Sequence, residues 1–267
     1  MTKSKAEKSN CLLREDEQGI TTLTLNRPDK FNPLSFEMIS ALQNELDSIA
    51  KDHSVRVVVI AAKGKAFCAG HDLKEMAGHS EKDYFTGLFQ KCSQMMLTIN
   101  RIPQPVIAKV QGIATAAGCQ LVAASDLAVA VDSAKFATSG IRYGLFCSTP
   151  AVPVSRNMQR KHAMELLLTG DFISADDAVR QGLINSAVPE GDLTDKVHGL
   201  AQSIIEKSAV AVSVGKEMFY KQLEMELEDA YGYAAEMMAS NMMAKDAQEG
   251  FSAFIEKRSP VWNHGIK

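Results

Sequence analysis

No stretch of this 267-residue sequence is apolar for long enough to span a bilayer. Neither sign of charge dominates: 29 Lys and Arg stand against 32 Asp and Glu, a formal net charge of −3. Such slight acidity gives no reason to expect nucleic acid or an anionic membrane as partner. The opening residues, MTKSKAEKSN, lack the apolar core of a secretion signal. Cysteine is sparse. Its five copies (Cys11, Cys68, Cys92, Cys119 and Cys147) are scattered, odd in number and form no C-x-x-C pair. That excludes a disulfide framework and the usual zinc spacing, and it fits a reduced, intracellular setting in which the cysteines serve as small buried hydrophobes. There is no G-x-G-x-x-G after a strand, no G-x-x-x-x-G-K-[ST], no G-x-S-x-G elbow and no H-E-x-x-H. Dinucleotide, nucleotide, serine-hydrolase and zinc-protease chemistry all lose support, and no metal or resident cofactor is expected. The six histidines are dispersed, with only His71 beside Asp72 worth singling out.

What is present is an ordinary globular composition, 46% hydrophobic and 23% charged, enough for one sizeable core or a core plus an appendage. The chain centres on Pro105–Val131, PVIAKVQGIATAAGCQLVAASDLAVAV. Two apolar strands, Val106–Val110 and Leu127–Val131, bracket a turn of small residues from Gly112 to Gly118 and a helical segment over Gln120–Ala124. Small residues at Ala114, Ala116, Ala117 and Gly118 let a backbone approach a ligand or a neighbouring strand closely. A helix starting there directs free N–H groups outward, which suits developing negative charge.

Around this centre, Met1–Glu17 reads as a polar tail. Ile20–Asn26 alternates as a strand, and Ser35 caps a helix with the stripe Ile39, Leu42, Leu46 and Ile49. Val55–Ala62 is β-branched and apolar, as in a strand buried on both faces. Lys63–Gly70 reads as loop, with Asp72 placed to start a short helix. A long helix carrying Phe85, Leu88, Phe89, Cys92, Met96 and Ile99 stops before Pro103. Ala134–Pro153 is irregular. Helices follow over Lys161–Leu168 and Ser174–Gln181, then a strand over Leu183–Val188. From Leu193 on the pattern is helical only, with Asp246 and Glu249 spaced as a capping box. The organisation is therefore α/β: a tail (1–17), a core of strands alternating with helices (18–192) and a helical C-terminal region (193–267).

Several segments, in order and spanning nearly the whole chain, resemble one family. Asn26-Arg27-Pro28 with Asn32 resembles N-R-P…N-A. Ala66 to Leu73 resembles A-F-x-A-G-x-D-[IL]. Pro105-Val106-Ile107-Ala108 with Gly112 and Gly118-Cys119 resembles P-V-I-A…G…G-G-G-C-E. Ser125-Asp126-Leu127, Leu168-Thr169-Gly170, Gly182-Leu183 and Gly250 to Lys257 match later signatures. These are motifs of the crotonase (enoyl-CoA hydratase/isomerase) family, and the likeness is greatest to a mitochondrial subgroup of it. The resemblance implies a spiral of ββα units, a C-terminal helical trimerisation region, a homotrimer or dimer of trimers, and a CoA thioester as ligand. It implies that the backbone N–H groups of His71 and Ala117 polarise the thioester oxygen; one such donor is typically worth about 2.7–4 kcal/mol. It places Asn32, Ala69, Gly70, His71, Asp72, Leu73, Ile113, Ala116, Gly118 and Ser139 along the ligand. It assigns Lys74 to the CoA phosphates and Lys257 to a neighbouring subunit's ligand, although each lysine alone reads as a solvated surface charge.

The sequence departs from the family where proton transfer is done. The Glu closing G-G-G-C-E is here Gln120, and the Glu of F-x-x-P-E falls on Gly140 in Phe136-Ala137-Thr138-Ser139-Gly140. Gln does not titrate and Gly has no side chain, so the usual acid–base pair is absent. Three expectations follow: an acyl-CoA binder of lipid metabolism without hydratase activity; a different enolate or thioester reaction served by Asp72, Ser139, Arg142, Tyr143 or Cys147; or a scaffold or regulator. A further expectation is that Asp72 and Arg142 are simply in structural pairings and that Gly140 holds a backbone conformation which resists Glu. RNA binding, known for one relative with a lysine-rich early helix, is not expected, because the helix over 35–52 carries Glu37, Glu45 and Asp47 and a single Lys51.

Overall fold

The computed structural model describes residues 11–264. It opens with an antiparallel hairpin of β1 (Leu12–Glu17) and β2 (Ile20–Leu25). The expectation of a tail reaching residue 17 is thus corrected: Leu12–Glu17 is strand, and residues 1–10 lie outside the described residues. The hydrophobic pattern misses β1 because only its first residue is buried. Its charged remainder is held by polar contacts instead, Arg14 pairing with Asp16 and Glu45. Helix α1 (Phe36–Ile49) follows. The Ser35 hydroxyl caps it by accepting the Met38 N–H at 3.2 Å, and the stripe Ile39, Leu42, Leu46 and Ile49 is fully buried.

A strand–strand–helix unit then repeats three times. The first unit is β3 (Val57–Ala62), β4 (Ala66–Cys68), the short α2 (Leu73–Ala77) and α3 (Lys82–Arg101). The second is β5 (Val106–Val110), β6 (Ile113–Thr115) and α4 (Ala117–Ala124). The third is β7 (Leu127–Val131), β8 (Lys135–Ala137), a 3-10 turn over Ser139–Tyr143, α5 (Ser148–Asn157) and α6 (Arg160–Thr169). The chain continues through β9 (Ile173–Ser174), α7 (Ala175–Arg180) and β10 (Ser186–Val188). In each unit the first strand joins a large sheet, ordered β1-β2-β3-β5-β7-β10, and the second joins a small one, ordered β4-β6-β8-β9. All neighbours are parallel except the terminal pairs β1·β2 and β8·β9. Parallel pairing forces each connection to cross the sheet, so helices cover it and a strand such as β3 is apolar on both faces. The expected ββα spiral is present.

The C-terminal region is helical as expected: α8 (Leu193–Ile205), α9 (Ala209–Gln222), α10 (Leu227–Met242) and α11 (Lys245–Glu256). Helix α8 packs on the large sheet through buried Leu193, Val197 and Ala201, and a buried polar cluster fastens α9. The Lys216 ammonium on α9, 6% exposed, donates to the Ile99 and Gln104 carbonyls and pairs with Asp126 at 2.6 Å. Asp126 also accepts the Val106 N–H at 2.6 Å and the Tyr220 hydroxyl at 2.8 Å. The expected capping box does not form. Ala244 is the N-cap of α11, while buried Asp246 accepts from the Ser208 hydroxyl and from the N–H groups of Asn263 and His264. Glu249 pairs with Arg258. Among the described residues no helix is long and apolar enough to cross a membrane. All five cysteines are free and buried, as expected of small hydrophobes.

Candidate functional site

The two loops singled out by sequence meet at the point where β4 and β6 pair. Gly70 follows β4 with φ +96, and a Cβ there would lie 2.9 Å from Ala116 Cβ, 3.3 Å from Thr115 O and 3.4 Å from Ala117 N. A Cβ on Gly118 would fall 2.1 Å from Cys68 O. Glycine at these two positions is therefore what lets the backbones touch. The His71 and Ala117 N–H groups thus belong to abutting turns. Ala117 opens α4, and a first-turn N–H has no partner inside its helix. The hydrogen bonds that fix the β4 loop, Leu34 N–H to Gly70 O at 2.7 Å and Ala69 N–H to Phe31 O at 3.0 Å, leave the His71 N–H uninvolved. Between β6 and α4, Ala116 adopts φ +50 and ψ −120, a corner that L residues rarely enter. The helix starts three residues earlier than the apolar pattern over Gln120–Ala124 indicates.

His71 contributes more than its backbone. Its Nδ1 lies 3.1 Å from Leu34 O, so Nδ1 carries the hydrogen and Nε2 is left as an acceptor; Nε2 is buried and unpartnered. Burial pushes its pKa below the usual value. The ring sits 5.4 Å from Phe89, which continues to Phe85, Tyr84 and His79 in a row of aromatic contacts along the start of α3. The sequence signal for this row is Phe85 and Phe89 at i, i+4 on the long helix.

Asn32, named for ligand contact, is fully buried with φ +52, and the protein backbone engages both ends of its amide. Oδ1 accepts the Arg27 N–H at 2.8 Å, and Nδ2 donates to Lys63 O at 2.8 Å and Ala66 O at 2.9 Å. The structure thus gives it a supporting role, holding the turn before β4. Ala69, Leu73, Lys74 and Ile113 are exposed around the loops. Lys257 follows α11, which packs against α9 and α10. Ser139 shares a 2.7 Å hydroxyl contact with Thr115 at the end of β6.

Of the groups considered as replacement acids or bases, Asp72, Ser139 and Arg142 are held by protein contacts, Cys147 is buried and Tyr143 stands exposed. Asp72 Oδ1 caps α2, accepting the Lys74 N–H at 3.0 Å and the Glu75 N–H at 3.2 Å. Arg142 pairs with Asp171, a structural pairing as expected. Tyr143 is 75% exposed. Burial pushes the Cys147 thiol up, and the Cys68 and Cys119 thiols up to about 12, so none is a ready nucleophile. Gly140 is not in the left-handed region, which corrects the expectation of a special backbone conformation. The obstacle there is space: a Cβ would lie 2.7 Å from Leu145 O and 2.8 Å from Cys147 Sγ. Gln120 is 3% exposed, and its Oε1 has no partner. A cavity of about 390 Å³ elsewhere, lined in part by Thr22, Thr24, Lys109 and His198, shares no residue with these loops.

Nested ββα units with abutting turns after β4 and β6 define a crotonase-type protein. Residues 15–265 match the Enoyl-CoA hydratase/isomerase family, and the chain belongs to it. It is 46% identical over 248 residues to rat enoyl-CoA hydratase domain-containing protein 3, mitochondrial, covering 93% of this chain and 83% of the relative. The crystal structure of the human protein of the same name superposes with a TM-score of 0.92 at 44% identity, covering 95% of this chain and all of that one. The structure of an enoyl-CoA hydratase from Mycobacterium smegmatis superposes with a TM-score of 0.93 at 54% identity, covering 95% and 99%.

Proposed function

We propose that this protein binds an acyl-CoA thioester with the thioester oxygen between the His71 and Ala117 N–H groups, and that it does not hydrate enoyl-CoA. The contact of Gly70 with Ala116 and Ala117 carries the first half, since it brings the two amides onto adjoining rigid turns. Lys74 on α2 reaches the CoA phosphates, and the aromatic row along α3 flanks the acyl group. Water addition needs one group to take a proton from water and another to deliver one to the α-carbon. Gln120 and Gly140 do neither, and Asp72, Arg142 and Cys147 are engaged or buried as described. The same engagements weigh against a different enolate or thioester reaction at this site.

Two further parts of the proposal concern setting. The apolar side chains exposed on α10 and α11, among them Leu227, Tyr231, Met238, Phe254 and Ile255, suit a closed trimer or a dimer of trimers. Sedimentation at micromolar concentration tests this, and a monomer overturns it. A mitochondrial setting rests on the names of the relatives and a role in lipid metabolism on the acyl-CoA reading; the mycobacterial homologue comes from a bacterium, so fractionation of the source cell decides the compartment.

The central experiment is a panel of acyl-CoA thioesters read for both thermal stabilisation and turnover. Ligand at about 100 times its dissociation constant should stabilise by about 2.7 kcal/mol. Crotonyl-CoA should keep its conjugated absorbance. No shift with any chain length overturns the binding half, and turnover comparable to an ordinary hydratase overturns the other.

A further inference from the structure

Gln120 is in a state that folded interiors seldom leave alone. The residue is 3% exposed, and its Oε1 is buried without a partner. Its Nε2 makes no hydrogen bond to the protein among the described residues and, unlike Oε1, is not fully buried. An amide oxygen that the fold desolvates but does not pair is one that something else completes. Its position says where. Gln120 follows Ala117 by three residues on α4, so the two share a helix face. Side chains on a helix lean toward its N-terminus, which carries the carboxamide back along that face toward the Ala117 N–H.

We propose that Gln120 is a specificity residue that selects acyl thioesters bearing a hydroxyl near the thioester over the same chains without one. The inference rests on the acyl-CoA reading of the cleft. A hydroxyl donates to Oε1 or accepts from Nε2, so the match holds whichever way the amide is turned. A carboxylate or ammonium on the acyl chain would be buried against a neutral amide with no countercharge, which disfavours both. The amide does not titrate, so it recognises the hydroxyl without moving a proton. Gln at this position thus converts a place for proton transfer into one for recognition.

The test is calorimetric binding of 3-hydroxybutyryl-CoA, butyryl-CoA and free CoA to the full chain and to Gln120→Met, which keeps the length of the side chain and removes its polar atoms. The native protein should prefer the hydroxylated thioester by about tenfold. Gln120→Met should lose that preference while still binding butyryl-CoA. Gln120→Leu serves as second variant should the first fold poorly, and the native comparison stands without either. Affinities for the two thioesters within about twofold in the native chain, as expected if a trapped water already satisfies the amide, overturn the proposal while leaving acyl-CoA binding intact. A preference that survives in Gln120→Met also overturns it. Failure of both thioesters to bind any better than CoA removes the acyl-CoA reading and the proposal together.

Discussion

Replacing Ala116 by glycine should make this protein more stable, although glycine usually does the opposite. Ala116 joins β6 to α4 at φ +50 and ψ −120, and the pattern this segment resembles has glycine there. That corner of backbone space belongs to primed turns, and an L residue held in it costs about 1–3 kcal/mol, taken here as 2–3 because ψ lies far from the left-handed helical well. Two effects oppose the gain. Glycine adds freedom to the unfolded chain, about 0.4–1 kcal/mol. The lost methyl is partly buried against Gly70; full burial of such a group contributes about 0.8 kcal/mol, so roughly half of that applies. The net is about 1 kcal/mol in favour of Ala116→Gly, a rise in Tm of about 2–4 °C for a chain of this size. Thermal and denaturant unfolding of the two proteins side by side measure it. Affinity for an acyl-CoA should stay the same, because the backbone that aims the Ala117 N–H keeps its path. A lower Tm in Ala116→Gly would refute the reasoning, and would mean that the Ala116 methyl packs more strongly than its exposure indicates.

Gly140→Ala should destabilise by about 1–3 kcal/mol, since Leu145 O and Cys147 Sγ occupy the space a Cβ needs; a neutral result in urea denaturation would show that the 3-10 turn yields freely. For the same reason Gln120→Glu with Gly140→Glu should recover little crotonyl-CoA hydration, and Gln120→Glu alone none that is measurable. Lys216→Met should cost about 3–5 kcal/mol by leaving Asp126 buried without its cation, with limited proteolysis then cutting first at the junction before α9; an unchanged Tm would refute it. Burial holds His71 below the ordinary histidine value, so as pH falls below about 6.5 the unfolded chain takes up a proton before the folded one, and stability declines until the folded pKa is reached. His264 is lowered too and adds the same sign, whereas Asp246, held low by Ser208 and two N–H groups, loses its contribution only further into acid. An NMR titration placing the His71 midpoint at or above 6.5 would refute the first part.

The strands and helices with a strong period were legible in the sequence, and those defined by distant partners were not. Ser35 and the stripe of α1 are local features and appear as read. β4, β6 and β8 have three residues each, too few to show alternation, and they exist because they pair with one another. Helix α5 hid behind its prolines: Pro150 falls in the first turn, where no N–H is required, while Pro153 sits inside the helix. Asp246 and Glu249 have capping-box spacing, but their partners lie on Ser208, Arg258 and the residues around 263, and no local pattern names them. At the site, the two turns were legible through family motifs. Three features needed coordinates: the closed amide of Asn32, the open one of Gln120, and the filled space at Gly140.

The pairing of β7 with β10 bears on synthesis. Val129 pairs with Ser186, and 186 − 129 is 57 residues. A ribosome adding about 5–20 residues per second needs roughly 3–11 s to supply the partner. For that interval one edge of Leu127–Val131, an uncharged run of LAVAV, has no neighbour in the nascent chain, which is the composition that recruits strands from other molecules. Asp126 and Asp132 flank the run on either side. In the finished protein Asp126 receives Lys216, a residue from still later in the chain; until then its bare charge acts as a gatekeeper at the end of the strand it will later help to anchor.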